Sequence, residues 1–132
     1  MFGPAGIAYV YFTYGMHHCM NAVCGVEGQG SAVLLRALEP FWGIDLMRDG
    51  APPTLAESKL ASGPGRICRA LGVDRRLNGA DLTASTLRIL PRRSTAGRIH
   101  QSTRIGLTKD DEREWRFFVD SPSVSGSRRP RR

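Results

Sequence analysis

Three tyrosine side chains that could stack on a ligand or donate hydrogen bonds to it lie close together near the start of the chain. Tyr9, Tyr11 and Tyr14 fall within six residues, and Gly15 follows the last of them. Side chains alternate between the two faces of a strand, so Tyr9 and Tyr11 share a face, and Gly15 permits a tight turn after Tyr14. The pattern predicts one tyrosine on a pocket floor and one exposed at a hairpin tip. The alternative is a hairpin whose aromatic side chains fill a core, the commoner use of aromatic residues in strands.

Two arginines also occupy positions at which a charged side chain is unusual or could bind an anion. Arg36 interrupts the apolar run of a third predicted strand, residues 31–38, and a charge inside a buried strand requires a partner or a function. Arg66 follows a glycine-rich helix start in which Ser62 can cap the helix and Pro64 can occupy its first turn. Such a start can bind a phosphate, although capping alone explains the same residues.

The positive charge is concentrated in the middle of the chain. The net charge is +7, and residues 64–104 carry nine arginines against two acidic residues. Arginine binds phosphate bidentately and stacks on bases, which favours nucleic acid as a partner. Genome composition is the alternative source of an arginine excess of this kind.

Other function classes find little support. The three cysteines lack the spacing of zinc ligands, and His17 and His18 point to opposite faces of a strand, so we expect no metal. No stretch approaches the roughly 18 apolar residues of a membrane helix, and the N-terminus does not read as a signal peptide. The unpaired cysteines predict a reducing, cytoplasmic location.

The elements that position these residues can be assigned from the pattern of apolar residues, glycines and prolines. We expect one domain over residues 1–122 and a basic, disordered tail over 123–132. Besides the strand already named, the predicted strands cover residues 7–14, 17–26, 87–90, 104–107 and 115–119, and the predicted helices cover 41–49, 54–61 and 62–71.

Several runs occur in an order that carries a family resemblance. They are YVYFTYGMHHCMN, SAVLLRALEP, SGPGRICRALGV, RIGL and WRFF. Together they resemble the alkyladenine (3-methyladenine) DNA glycosylase family from Met1 to about Ser125. The resemblance implies an α+β fold, a curved and mostly antiparallel sheet with short packed helices.

The activity that the resemblance implies is base excision in DNA repair. The N-glycosidic bond of alkylated or deaminated purines (3-methyladenine, 7-methylguanine, hypoxanthine) is hydrolysed after nucleotide flipping, which leaves an abasic site. No metal or other cofactor is implied. The expected partner is double-stranded DNA with damaged purines, bound by a monomer in the cytoplasm at the nucleoid.

The resemblance also implies roles for five residues. Tyr14 matches the hairpin-tip tyrosine that inserts where the nucleotide is flipped out, and Tyr11 matches an aromatic residue that stacks on the flipped base. Asn21 matches an amide that disfavours normal guanine. Arg36 matches a catalytic arginine that helps to hold the attacking water, and Arg66 matches a DNA-binding position at a helix start.

One departure from the family pattern concerns catalysis. The family carries an ETEAY-like motif, upstream of the point that Met1 matches, whose glutamate activates the water. No residue here matches it, and Glu39 is a poor substitute. We therefore expect a chain without the N-terminal catalytic segment. It is a glycosylase whose chain is incomplete, a DNA lesion-binding protein without catalysis, or, as a third option, an RNA-binding domain.

Overall fold

The computed structural model describes residues 1–92, 97–106 and 112–124. Every strand pairing in this part of the chain is antiparallel, and the helices are short, so the expected α+β class is confirmed. The elements are β1 (Ala8–Thr13), β2 (His17–Cys24), β3 (Ser31–Leu34), α1 (Ile44–Met47), α2 (Pro64–Ala70), β4 (His100–Ser102) and β5 (Arg116–Phe118), with 3₁₀ turns at Glu57–Lys59 and Arg75–Leu77.

A three-stranded sheet in the order β1-β2-β3 organises the fold. Val10 stands opposite Met20 in the β1–β2 pair, and these side chains join Ala8 on the face that packs against α2. From α2, Ile67 and Cys68 are buried in the same cluster. The alternation that places apolar residues on this face places the intervening tyrosines on the other.

The outer edge of β1 is covered by the segment that follows the second 3₁₀ turn. The Ala8 N–H donates to the Ala80 carbonyl at 2.8 Å, and the Gly79 N–H donates back to the Ala8 carbonyl at 2.8 Å. The buried Val10 N–H donates to the Asn78 side-chain oxygen at 2.9 Å. The outer backbone groups of β1 are thereby hydrogen-bonded, although no fourth regular strand lies beside it.

Helix α2 begins and ends at residues that the sequence marks. Pro64 occupies its first turn as expected, but the N-cap is Gly63 and no side chain caps it, so the predicted role of Ser62 is wrong. At the other end Gly72 has φ 63°, and its N–H donates to the Arg69 carbonyl at 3.2 Å. The Val73 N–H then donates to the Cys68 carbonyl at 2.7 Å, which completes a Schellman motif.

The third predicted strand, over residues 31–38, is twice as long as the observed strand β3, which has four residues. It ends at Leu34 because the backbone beyond it bonds to the segment before α2. The Gly63 N–H donates to the Arg36 carbonyl at 2.8 Å, and the Leu38 N–H donates to the Ala61 carbonyl at 3.0 Å. Arg36 is consequently not inside a strand, and it is exposed, not buried.

Other predicted elements are shorter or absent. The helix over 41–49 is only α1, and the helix over 54–61 is only a 3₁₀ turn without a side-chain cap. Residues 87–90 form no strand. In the 104–107 region the strand lies earlier, at β4, and residue 107 is outside the described part. The strands at 7–14, 17–26 and 115–119 are confirmed with shorter bounds, and the tail from residue 125 lies outside the described residues.

The edge contact of Asn78 gives a stability prediction. Asn78→Ala removes the acceptor of the buried Val10 N–H, so the free energy of unfolding should fall by about 1 kcal/mol. Urea or thermal unfolding measures the change. Asn78→Asp keeps an acceptor oxygen at this position and is the matched control, expected within about 0.5 kcal/mol of the wild type. Equal loss in both variants would contradict the role of the hydrogen bond.

Candidate functional site

The turn between β1 and β2 presents Tyr14 to solvent. Tyr14 has φ 53° and Gly15 has φ 62°, and the Met16 N–H closes the turn on the Thr13 carbonyl at 3.1 Å. Positive φ at both central residues is the geometry of a type I′ hairpin turn. Tyr14 alone among the described non-glycine residues has positive φ, a strained conformation for a tyrosine, and its side chain is 87% exposed.

Tyr11 lies on the face of the β1–β2 pair opposite to Val10 and Met20. Its neighbour on that face is Tyr9, with ring centroids 5.4 Å apart, and Cys19 stands opposite it on β2. Burial, and then the neighbouring Cys19 thiol, raises the pKa of Tyr11, so its hydroxyl stays protonated and can donate a hydrogen bond. Tyr9 and then Tyr14 make smaller contributions to the rise in this pKa.

Asn21 shares this face of the sheet. It stands opposite Tyr9, two residues along β2 from Cys19, and is only 8% exposed. Its amide nitrogen donates to the Tyr9 carbonyl at 3.2 Å, which fixes the orientation of the amide. We name the surface formed by Tyr9, Tyr11, Cys19 and Asn21 the tyrosine face.

Arg66 lines a cleft of about 580 Å³ between the hairpin and the start of α2. Its guanidinium donates to the Lys59 carbonyl at 3.5 Å and is otherwise open to solvent. Met16 and His17 line the hairpin wall, and Arg69 adds a second positive charge. This hairpin–helix cleft therefore combines two guanidinium groups with residues next to the tip.

Arg36 lines a different groove, of about 520 Å³, between β3 and the β4–β5 pair. Burial, and then the charge of Arg36, lowers the pKa of Arg116 on the same groove. Arg36 forms no ion pair with an acidic side chain of the described ranges. Glu39 instead accepts a hydrogen bond from Ser121 at 3.2 Å.

The structure thus brings some of the predicted site residues together and separates others. Tyr11 and Asn21 share the tyrosine face, with Tyr14 at its end. Arg66 belongs to the hairpin–helix cleft and Arg36 to the second groove, and residues 63–64 line both. In the part of the chain described, no three His, Cys, Asp or Glu side chains are grouped to hold a metal ion, and no helix is long and apolar enough to cross a membrane.

The sequence pattern did not single out two features of these surfaces. His17 lines the hairpin–helix cleft, although it was considered only as a metal ligand; its position directly after the turn is the signal that places it beside the tip. Trp115 lies beside Arg113, whose guanidinium carbon is 4.6 Å from the indole centroid. That contact has no periodic signature in the sequence.

Comparison with known proteins agrees with the resemblance of the sequence runs. The family model described as methylpurine-DNA glycosylase (MPG) matches residues 1–123. A protein of Methanoculleus marisnigri named "Putative 3-methyladenine DNA glycosylase" is 47% identical over 125 residues, which cover 90% of this chain and 64% of that protein. Proteins of the same name from Rubrobacter xylanophilus and Rhizobium meliloti are 45% and 47% identical, over 95% and 93% of this chain and 65% and 64% of their own lengths.

The chain accordingly spans about 64% of the length of the curated relatives that it matches. The match nevertheless runs through the hairpin, the tyrosine face and both grooves, because residues 1–123 contain all of their residues except Val124 of the second groove. On these grounds the chain belongs to the methylpurine-DNA glycosylase family.

Proposed function

We propose that this chain binds duplex DNA, flips damaged purine nucleotides and hydrolyses their N-glycosidic bond to leave an abasic site. The observation that carries the proposal is the exposed, strained Tyr14 at the end of the tyrosine face, in a chain of this family. The substrate class is that of alkylated and deaminated purines, such as 3-methyladenine, 7-methylguanine and hypoxanthine. No cofactor takes part in the proposed reaction.

Tyr14 has the position that a wedge requires. A base inside a duplex is inaccessible to chemistry, so the nucleotide must leave the stack, and an aromatic side chain can fill the gap. At the apex of a two-stranded hairpin the phenol ring can enter a groove ahead of the rest of the protein. Its φ of 53° keeps it at that apex.

The tyrosine face offers a flipped base an aromatic surface and a fixed amide. Tyr11 can stack on the base, and π-faces favour the cationic purines that alkylation produces. Asn21 is buried and tied to the Tyr9 carbonyl, so it cannot swing aside to admit the exocyclic amine of guanine. This rigidity supports discrimination against the undamaged base.

The remaining parts of the proposal concern contacts with the DNA backbone and the hydrolysis itself. Arg66 in the hairpin–helix cleft would contact a phosphate, and Arg36 would help to hold the attacking water. A single copy of the chain carries the wedge, the face and the cleft, which supports a monomer. Proximity to the nucleoid in the cytoplasm follows from the proposed substrate.

A second candidate function is lesion binding without catalysis. It is favoured by Arg36, which has no ion pair with an acidic residue of the described ranges, while Glu39 is engaged with Ser121. A positioned general base is worth about 10²–10⁴-fold in rate, so its absence would leave recognition intact and hydrolysis very slow.

Abasic-site formation distinguishes the two functions. Protein in excess over a duplex with one hypoxanthine should generate alkali-labile sites, and Arg36→Ala should lower that single-turnover rate about 10²-fold while lesion affinity stays within twofold. Lesion binding without any alkali-labile site would establish the second function. Tighter binding of single-stranded RNA than of the lesion duplex would contradict both.

Tyr14→Ala should weaken lesion-duplex binding far more than binding to undamaged DNA. Stacking of an aromatic side chain on a base is worth about 1–3 kcal/mol, so we expect about a 5- to 150-fold loss of lesion-duplex affinity, measured by fluorescence anisotropy on the two duplexes. Phe41→Ala, at an aromatic side chain that is 84% exposed outside the hairpin, is the matched control and should change neither affinity. Equal loss on both duplexes would show that Tyr14 makes no lesion-specific contact.

Arg66→Ala should weaken binding to the lesion duplex and to undamaged DNA equally. It should also lower the magnitude of the slope of log affinity against log salt by about one, because one phosphate contact is lost. A salt titration of binding measures the slope. Arg75→Ala, which removes an exposed arginine that does not line the cleft, should leave the slope unchanged. An unchanged slope in Arg66→Ala would remove Arg66 from the phosphate contacts.

A further inference from the structure

The first residue of β2 packs against a glycine of α2 at a distance that admits no side chain. A Cβ atom built on Gly65 would lie 2.7 Å from Cδ2 and 2.8 Å from Cγ of His17. It would also lie 3.1 Å from the Cβ atom of the same histidine. The imidazole ring and the Cβ atom of His17 therefore occupy the space that a side chain at position 65 would fill.

The backbone does not require a glycine here. Gly65 lies within α2 and is absent from the glycines with positive φ, so an alanine could adopt the same conformation and would favour the helix. The lack of a side chain at position 65 thus serves the contact with the imidazole ring, not the conformation of the chain.

The same ring reaches the hairpin tip. The centroids of the His17 and Tyr14 rings are 6.4 Å apart, and the planes are tilted by 49°. His17 also stands directly opposite Thr13, whose carbonyl accepts the hydrogen bond that closes the turn. One side chain therefore connects the helix, the base of the turn and the exposed tyrosine.

We propose that the contact between His17 and Gly65 positions the hairpin tip, with His17 as a positioning residue for Tyr14. The effect on DNA rests on the proposed function of Tyr14 as a wedge; the effect on the tip itself does not. A tip held in place before binding loses less freedom when it enters the duplex, so it binds more tightly for the same contacts. The contact depends on shape, and a phenyl ring at position 17 would serve as well.

The experiment uses four variants of the chain: Gly65→Ala, His17→Ala, the double variant with both changes, and His17→Phe. Exchange of the Met16 amide, followed by NMR without DNA, reports on the turn. The Leu71 amide, which directly follows α2 and donates to the Ile67 carbonyl, is the reference for helix integrity. Affinities for hypoxanthine and undamaged duplexes are measured on the same samples.

Gly65→Ala should speed exchange of the Met16 amide about tenfold, because the new methyl group displaces the ring, and should lower the preference for the lesion duplex about fivefold. In the His17→Ala background, Gly65→Ala should neither speed Met16 exchange further nor lower the lesion preference further, because the imidazole ring is already absent. His17→Phe should keep wild-type exchange and preference. This rescue pattern separates positioning from a general loss of stability, which would appear at Leu71 and in every background.

Two results would overturn the inference. One is unchanged Met16 exchange in Gly65→Ala; the other is an equal effect of Gly65→Ala with and without His17. If the exchange pattern is as expected but all variants keep the wild-type preference for the lesion duplex, the contact does position the tip, and the proposed wedge role of Tyr14 is contradicted instead.

Discussion

The register of β1 against β2 determines which side chains reach the core and which reach the opposite face of the sheet. With Val10 opposite Met20, one face of the pair supplies the apolar side chains that bury Ile67 of α2, and the other carries Tyr11 and Asn21. A shift by a single residue would exchange the two faces, moving the tyrosines into the core and the valine to the surface. Core packing therefore fixes the orientation of the tyrosine face, and the recognition surface needs no separate stabilising device.

The same register determines what the turn can be. Because Thr13 stands opposite His17, only three residues connect the strands, and a tight turn with positive φ is the solution for so short a connection. Gly15 adopts that conformation freely, whereas Tyr14 adopts it under strain. A strained aromatic residue at an exposed apex adds nothing to core packing. Its position makes sense as preparation for contact with another molecule.

How far the sequence predicts this structure depends on the range of the interactions involved. The hairpin, α2 and the strand at 115–119 follow from local patterns, namely alternation, a proline at a helix start and a glycine after its end. The length of β3 and the surroundings of Arg36 do not, because the backbone beyond Leu34 bonds to residues 61–63, far along the chain. Apolar runs alone cannot show such a change of partner.

The candidate site shows the same division. The faces of Tyr11 and Tyr14 follow from alternation and from the glycine after Tyr14, and the structure agrees with both placements. The contact of His17 with Gly65 joins residues 48 positions apart, the difference between 65 and 17, through a missing side chain, which no periodicity can reveal. Sequence patterns thus identify which residues face outward, and the packing between elements decides how firmly they are held.

The arrangement separates affinity from specificity. Of the arginines in the basic middle segment, Arg66 and Arg69 face the hairpin–helix cleft, whereas Arg76 is paired with Asp74 at 2.7 Å and its charge is partly neutralised. Contacts of arginine with phosphate are insensitive to sequence and to damage, so in the proposed function the cleft would hold any duplex. Discrimination must then come from the tip and the tyrosine face, where Asn21 is buried and fixed. Because His17 lies in the cleft and beside Tyr14, it connects the surface proposed to hold the DNA with the surface proposed to test the base.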